Sequence, residues 1–234
     1  MKEKLKEKKP YYLIIARKVI FWLVTSMLIG AIYMLLFNKD IDKYRIVFTM
    51  VQFIAMLFVL RLPKFIKEKY HFQIPNSLDF ILITFAFSAF ILGDVFNFYG
   101  KIPIWDSLLH TLSGVVIAYM GFIIIKYLDQ EYTIPLSVSP LFMSILVVSS
   151  ALSIGAIWEI GEYLVDDMFH TNNQQYMEST RATLYNDEDT PLMGHEALND
   201  TMKDLMLDLA GAVAVATIGC QKLEKKKKEG STQK

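Results

Sequence analysis

Six long apolar segments constrain this chain more than any other feature. They run over Val19–Phe37, Ile46–Leu60, Leu78–Tyr99, Ile104–Tyr127, Leu141–Val165 and Asp200–Cys220. A helix crosses the hydrocarbon core of a bilayer with about 20 apolar residues. Only helices and closed barrels satisfy their backbone polar groups there, and runs of this length are helical. The expected fold is therefore all-α, a polytopic membrane helical bundle of about six transmembrane helices. The second run is short, but Arg45 and Arg61 flank it and can extend their charges toward the interfaces. The sixth is interrupted by Asp208 and is rich in Ala, Gly and Val.

Charge is segregated along the chain. If both termini are cytoplasmic, 18 of the 24 Lys and Arg residues fall on the inner side and 6 on the outer side. The inner residues include the Lys2–Lys9 and Lys225–Lys228 clusters. This is the bias of the positive-inside rule. The expected organisation is a basic cytoplasmic tail at 1–18, one six-span membrane domain at 19–220, and a lysine-rich cytoplasmic tail at 221–234. A polar, acidic loop at 167–199 lies outside the membrane. The basic start followed by an apolar run resembles a signal peptide. No small-x-small cleavage pattern follows it, so the first run reads as a retained span.

Charge balances at 24 acidic against 24 basic residues, which points to no nucleic-acid partner. The lipid bilayer is the expected surrounding. The single cysteine, Cys220, excludes an intramolecular disulfide and any cysteine-based metal motif.

Ionisable residues inside spans are costly and mark functional sites. Asp106 and His110 lie four apart and share a helix face, continued by Ser113, Gly114 and Gly121. Glu159 and Glu162 are three apart near the end of the fifth span. Asp200, Asp204, Asp208 and Gly211 form one face of the sixth helix. Asp94 and Asn97 close the third. With both termini inside, all these groups fall at the outer ends of their helices. Facing carboxylates repel unless protons or cations neutralise them. A divalent metal held by Asp106, His110, Glu159, Asp204 and Asp208 is an economical answer. One His among carboxylates suits Mn, Fe, Zn or Mg, and not Cu(I). Glu159 and Glu162 are the candidate catalytic acid–base residues.

Each feature also has a structural reading. Asp106 and His110 could form a hydrogen-bonded pair, and Asp200 and Asp204 could be N-terminal acids favoured by the helix dipole. Trp105 and Trp158 suit an interfacial aromatic belt. His170 and His195 sit in the polar loop, either solvated or on a segment that folds over the site. Asp208 lies about 12 Å along the axis from Asp200, too deep for a capping role.

The pattern W-D-S-L-L-H-T-L-S-G at Trp105–Gly114, W-E-I-G-E at Trp158–Glu162 and N-D-T-M-K-D-L-M-L-D-L-A-G-A at Asn199–Ala212 resembles the YjdF-like bacterial inner-membrane proteins, a family of unknown function. Those proteins carry D-x-x-x-H-x-x-x-G, Y/W-E-x-x-E and a final D-x-x-x-D helix ending in Gly-Ala. The resemblance covers under half the chain and implies a multi-pass protein of the bacterial cytoplasmic membrane. A fainter likeness to VanZ-like membrane proteins lacks their glutamine and the arginine before the late Asp. No H-E-x-x-H motif is present. The D-G and A-R elements of the CDP-alcohol phosphotransferases are missing too.

Three functions fit these residues. The first is a metal-dependent hydrolase or transferase acting on a lipid or envelope precursor. The second is a cation- or proton-coupled transporter. The third is a structural membrane protein with a polar interhelical network.

Overall fold

The structure, a computed structural model, describes residues 10–40, 42–72, 74–131, 138–178 and 189–232. The first nine residues and the middle of the acidic loop, 179–188, lie outside the described residues. The described residues are overwhelmingly helical and contain no strand beyond one isolated bridge, Met177 to Pro191. Among the described residues, six helices are long and apolar enough to cross a membrane.

The chain divides into two compact units, 1–95 and 96–234. The first holds α1 (Tyr11–Phe37), α2 (Lys43–Tyr70) and α3 (Asn76–Ala86), which continues as a π-helix over Phe87–Val95. Asp42 caps α2 by accepting from the amides of Tyr44 and Arg45 at 3.0 and 3.2 Å. The first two helices outrun the apolar segments that announced them. α1 begins at Tyr11, before Val19, and α2 reaches Tyr70, beyond Leu60. Arg17, Lys18 and the lysines of α2 are good helix formers, so a change in polarity does not end these helices.

Leu13, Val24, Ala31, Phe53, Met56, Leu60, Ile83, Ala86 and Ile91 form the core of this unit. Large apolar side chains such as Trp22, Ile29, Leu36 and Phe58 face outward, as a lipid solvent requires. Pro63 lies inside α2 and removes one backbone donor. Near it, Arg17 donates to the Leu60 carbonyl and to the carboxylate of Asp79, which is buried in the first turn of α3. Breaking such a buried pair by removing one partner typically costs about 3–5 kcal/mol. Gln52 donates to Asp94 across the π-helical stretch. Asp94 thus has a partner within its own unit.

The second unit begins with a short helix, α4 (Phe98–Lys101), entered through Asn97 in the left-handed region at φ 56°. Three long helices follow: α5 (Trp105–Glu131), α6 (Pro140–Phe169) and α7 (His195–Thr232). Ser139 caps α6 and Pro140 takes its first position. α7 packs against both α5 and α6, and those two pack on each other. It starts five residues before Asp200 and continues through the lysine cluster beyond Cys220. The core between these three helices is small-residued: Ala118, Ala151, Ala212 and Ala216 around Val147. Small residues let helices approach closely where lipid supplies no hydrophobic drive.

Candidate metal centre

His110 leaves α5 from its second turn and is buried. Its two ring nitrogens face different carboxylates. Nε2 lies 3.7 Å from Asp106 Oδ1 and 3.9 Å from Asp204 Oδ2. Nδ1 lies 3.4 Å from Asp208 Oδ2. The four-residue spacing brings Asp106 and His110 to one face, and α7 presents Asp204 and Asp208 one turn apart.

Asp106, His110 and Asp204 each offer a ligand atom, all within 4.8 Å of one another. In a tetrahedral site with bonds of about 2.1 Å, neighbouring ligand atoms stand about 3.4 Å apart. The Nε2 separations are too long for good hydrogen bonds and close to that value, so shifts below an ångström would close the shell on an ion. Asp208 belongs to the other side of the ring. It suits an acceptor for Nδ1–H, the group that fixes tautomer and ring direction when Nε2 binds a metal. Ser113 donates to its second oxygen.

Glu159 comes from α6 and is 4% exposed; neither carboxylate oxygen makes a well-formed hydrogen bond among the described residues, and the polar groups that approach it are Thr201 and Gln174 of the surrounding segments. Asp204 Oδ1 is also buried without a hydrogen-bond partner among the described residues. Glu159 is within electrostatic reach of His110, Asp106, Asp200 and Asp204. Glu162, 60° round the helix, is partly exposed and accepts from Trp158 Nε1 at 2.8 Å. Trp158 is 45% exposed, while Trp105 is half-buried and meets Phe98 edge-on at 5.0 Å.

Glycines set the helix spacing. A Cβ on Gly114 of α5 would strike the Asp208 carbonyl of α7, and one on Gly211 would strike the Thr111 carbonyl. A Cβ on Gly155 of α6 would strike the Asp208 carboxylate itself. Asp208 is therefore enclosed by α5 and α6 and is 1% exposed.

The end of this unit where α5 and α7 begin is closed by a segment following α6. Asp166 accepts from Thr171 Oγ1, the Asn173 amide and the Gln174 amide at 2.5, 2.8 and 3.0 Å, which folds 171–174 back over the helix end. Gln174 Nε2 then reaches the Glu159 carbonyl at 3.4 Å and Thr201 Oγ1 at 3.0 Å. Gln175 Nε2 reaches Asp106 Oδ2 at 3.5 Å and Asp200 Oδ1 at 3.0 Å. This strap ties α5, α6 and α7 together. Sequence reading left His170 and His195 either solvated or folded over the site; both are exposed, and the side chains that reach the site are those of Gln174 and Gln175. His170 caps α6 at φ 55° and His195 starts α7 in an exposed position. A run of Thr-Asn-Asn-Gln-Gln directly after a helix was the available signal.

A family model for membrane proteins matches residues 19–225, nearly the whole chain. The chain belongs to that family, described as predicted membrane protein (DUF2238). The match includes every residue of the centre. A protein of Thermotoga maritima described as an uncharacterized protein is 30% identical over 149 residues, covering 63% of this chain. The match spans 64% of that relative, just under two thirds of its length. No solved structure matches.

Gly114→Ala and Gly211→Ala should each lower stability by about 1–3 kcal/mol, the cost of overpacking a close contact. A Cβ on Gly161 meets nothing within 4 Å. Gly161→Ala should leave stability unchanged or raise it by up to about 1 kcal/mol. Thermal unfolding of the three variants in detergent checks this; equal behaviour would show that the α5–α7 contact does not set the packing.

Proposed function

We propose that this membrane protein binds a divalent cation at Asp106, His110 and Asp204 and uses it as a hydrolase or transferase on a lipid or envelope-precursor substrate. The observation that carries this reading is Glu159, a buried carboxylate without a well-formed hydrogen bond, beside three converging ligands. A bound ion lowers the pKa of its water or polarises a phosphoryl or carbonyl oxygen. Glu159 is placed to take the proton released, and Asp208 to hold the imidazole. A purely structural polar network would have to hold Glu159 and Asp204 protonated, whereas a bound cation lets both ionise. A transporter would need titratable groups leading toward the other face. The buried Asp79 of α3, the nearest candidate in the sequence, is instead held by Arg17.

The centre lies toward the starts of α5 and α7 and the end of α6, which the charge distribution assigns to the outer leaflet. The YjdF-like resemblance supports the bacterial cytoplasmic membrane, with both termini inside. In a Cys220→Ala background, Thr190→Cys should react with an impermeant thiol reagent in intact cells, and Glu224→Cys only after lysis. The reverse pattern would place the centre on the cytoplasmic side.

Protein purified without chelator should carry Mn, Fe or Zn, measured by elemental analysis. His110→Ala should lose the ion and the melting-temperature gain that a bound ligand confers. Asp208→Asn should weaken affinity by about 10–100-fold, as removal of an orienting partner does. His170→Ala should change neither. Wild-type protein that holds no divalent ion and gains no stability on titration would refute the metal reading.

A further inference from the structure

α7 does not end where its apolar residues end. It runs without a break from His195 to Thr232, so the lysine-rich stretch after Cys220 continues the line of the span. At the rise of an α-helix, Lys222 stands about 3 Å and Lys228 about 12 Å beyond Cys220 along the axis. The headgroup layer on each side of a bilayer is about 5–8 Å deep. A span whose apolar part ends near Cys220 therefore carries these lysines through that layer and just past it. Their long stems let the outermost reach back.

Lys222 and Lys225 to Lys228 are all exposed. With 3.6 residues per turn, four lysines in succession point to all sides of the helix. Leu223 is the one apolar residue between Gln221 and Glu229. The segment thus has no apolar stripe with which to lie in the interface or to pair in a coiled coil. Five lysines stand against two glutamates, Glu224 and Glu229, a net charge of +3. Glu229 approaches Lys225 at 4.0 Å on the open surface, where an ion pair adds little. Among the described residues, no acid of another element pairs with Lys222, Lys225, Lys226 or Lys227.

We propose that this segment is a binding collar for anionic phospholipid headgroups. A soluble acidic partner would meet the helix from one side. A lysine belt without a preferred side fits a partner that surrounds the helix, and at this level α7 is passing through headgroups. A polybasic segment directly beside a span is drawn to anionic lipid, and the attraction fades within a Debye length of the surface. The collar lies about 27 Å along the axis from Asp204 and is independent of a bound metal.

The test uses full-length protein with a fluorescent reporter on Cys220, the single cysteine, in phosphatidylcholine bilayers. Brominated phosphatidylglycerol and brominated phosphatidylcholine are compared as quenchers. At low salt, phosphatidylglycerol should bind beside the reporter on the order of tenfold more tightly. The preference should fall toward unity at about 1 M salt, where the Debye length is about 3 Å. Replacing Lys225, Lys226, Lys227 and Lys228 together by Gln should remove most of it, and replacing them by Arg should keep it. Both residues form helix nearly as well as Lys. If the fourfold Gln variant does not insert, Lys226→Gln with Lys227→Gln should show a partial loss. Equal quenching by the two lipids in wild type would overturn the collar. So would a preference that survives high salt or the Gln replacements. A poly-glutamate peptide that changes the reporter in pure phosphatidylcholine as strongly as phosphatidylglycerol does would assign the lysines to a soluble partner and overturn it too.

Discussion

The backbones of α5 and α7 meet at Gly114 and Gly211, with no side chain between them. Everything at the centre follows from that approach. It brings Asp204 and Asp208 within 4 Å of His110. Gly155 of α6 leaves room for the Asp208 carboxylate on the third side. In lipid, where apolar side chains gain nothing by leaving the solvent, close packing of small residues is a main source of helix association. The alanine-rich layer of Ala118, Ala151, Ala212 and Ala216 continues the same packing away from the polar end. A rigid seam of this kind can hold charged groups in place that would otherwise drive helices apart.

Those charges explain why the seam needs support elsewhere. Carboxylates removed from water cost several kcal/mol each unless matched. Within the second unit, matching comes from His110, Ser113, Gln175, Trp158 and Lys203, and it is weakest at Glu159, whose oxygens make no well-formed hydrogen bond. The strap at 171–177 adds polar partners without adding a net charge. It is itself fixed by Asp166, a buried acid whose oxygens are occupied by the turn that follows α6. Asp166 therefore builds the cover, while Asp106, Asp204 and Glu159 face what lies beneath it.

The helices were legible in the sequence because spanning length and apolar composition leave few alternatives. The centre was legible in part, for a related reason. His110 and Gly114 share the i, i+4 spacing, and Asp204, Asp208 and Gly211 share the i, i+4, i+7 spacing, so each ligand travels with the glycine that admits it. Four features left no periodic trace. The side of the imidazole that Asp208 meets depends on helix rotation, which residue spacing alone does not give. The strap is held by hydrogen bonds between short polar side chains, which carry no repeat. The π-helix at Phe87–Val95 is written in the same apolar residues as an α-helix. The Arg17–Asp79 pair joins positions 62 residues apart. Helix ends were also displaced, since lysines extend α7 as readily as leucines would.

The central claim is that an ion sits on the Nε2 side of His110. Anomalous diffraction at the manganese edge, from crystals of Mn-loaded protein, locates it directly. The account predicts a peak about 2.1–2.3 Å from His110 Nε2, between Asp106 and Asp204. A peak on the Nδ1 side against Asp208, or no peak within reach of His110, would contradict it.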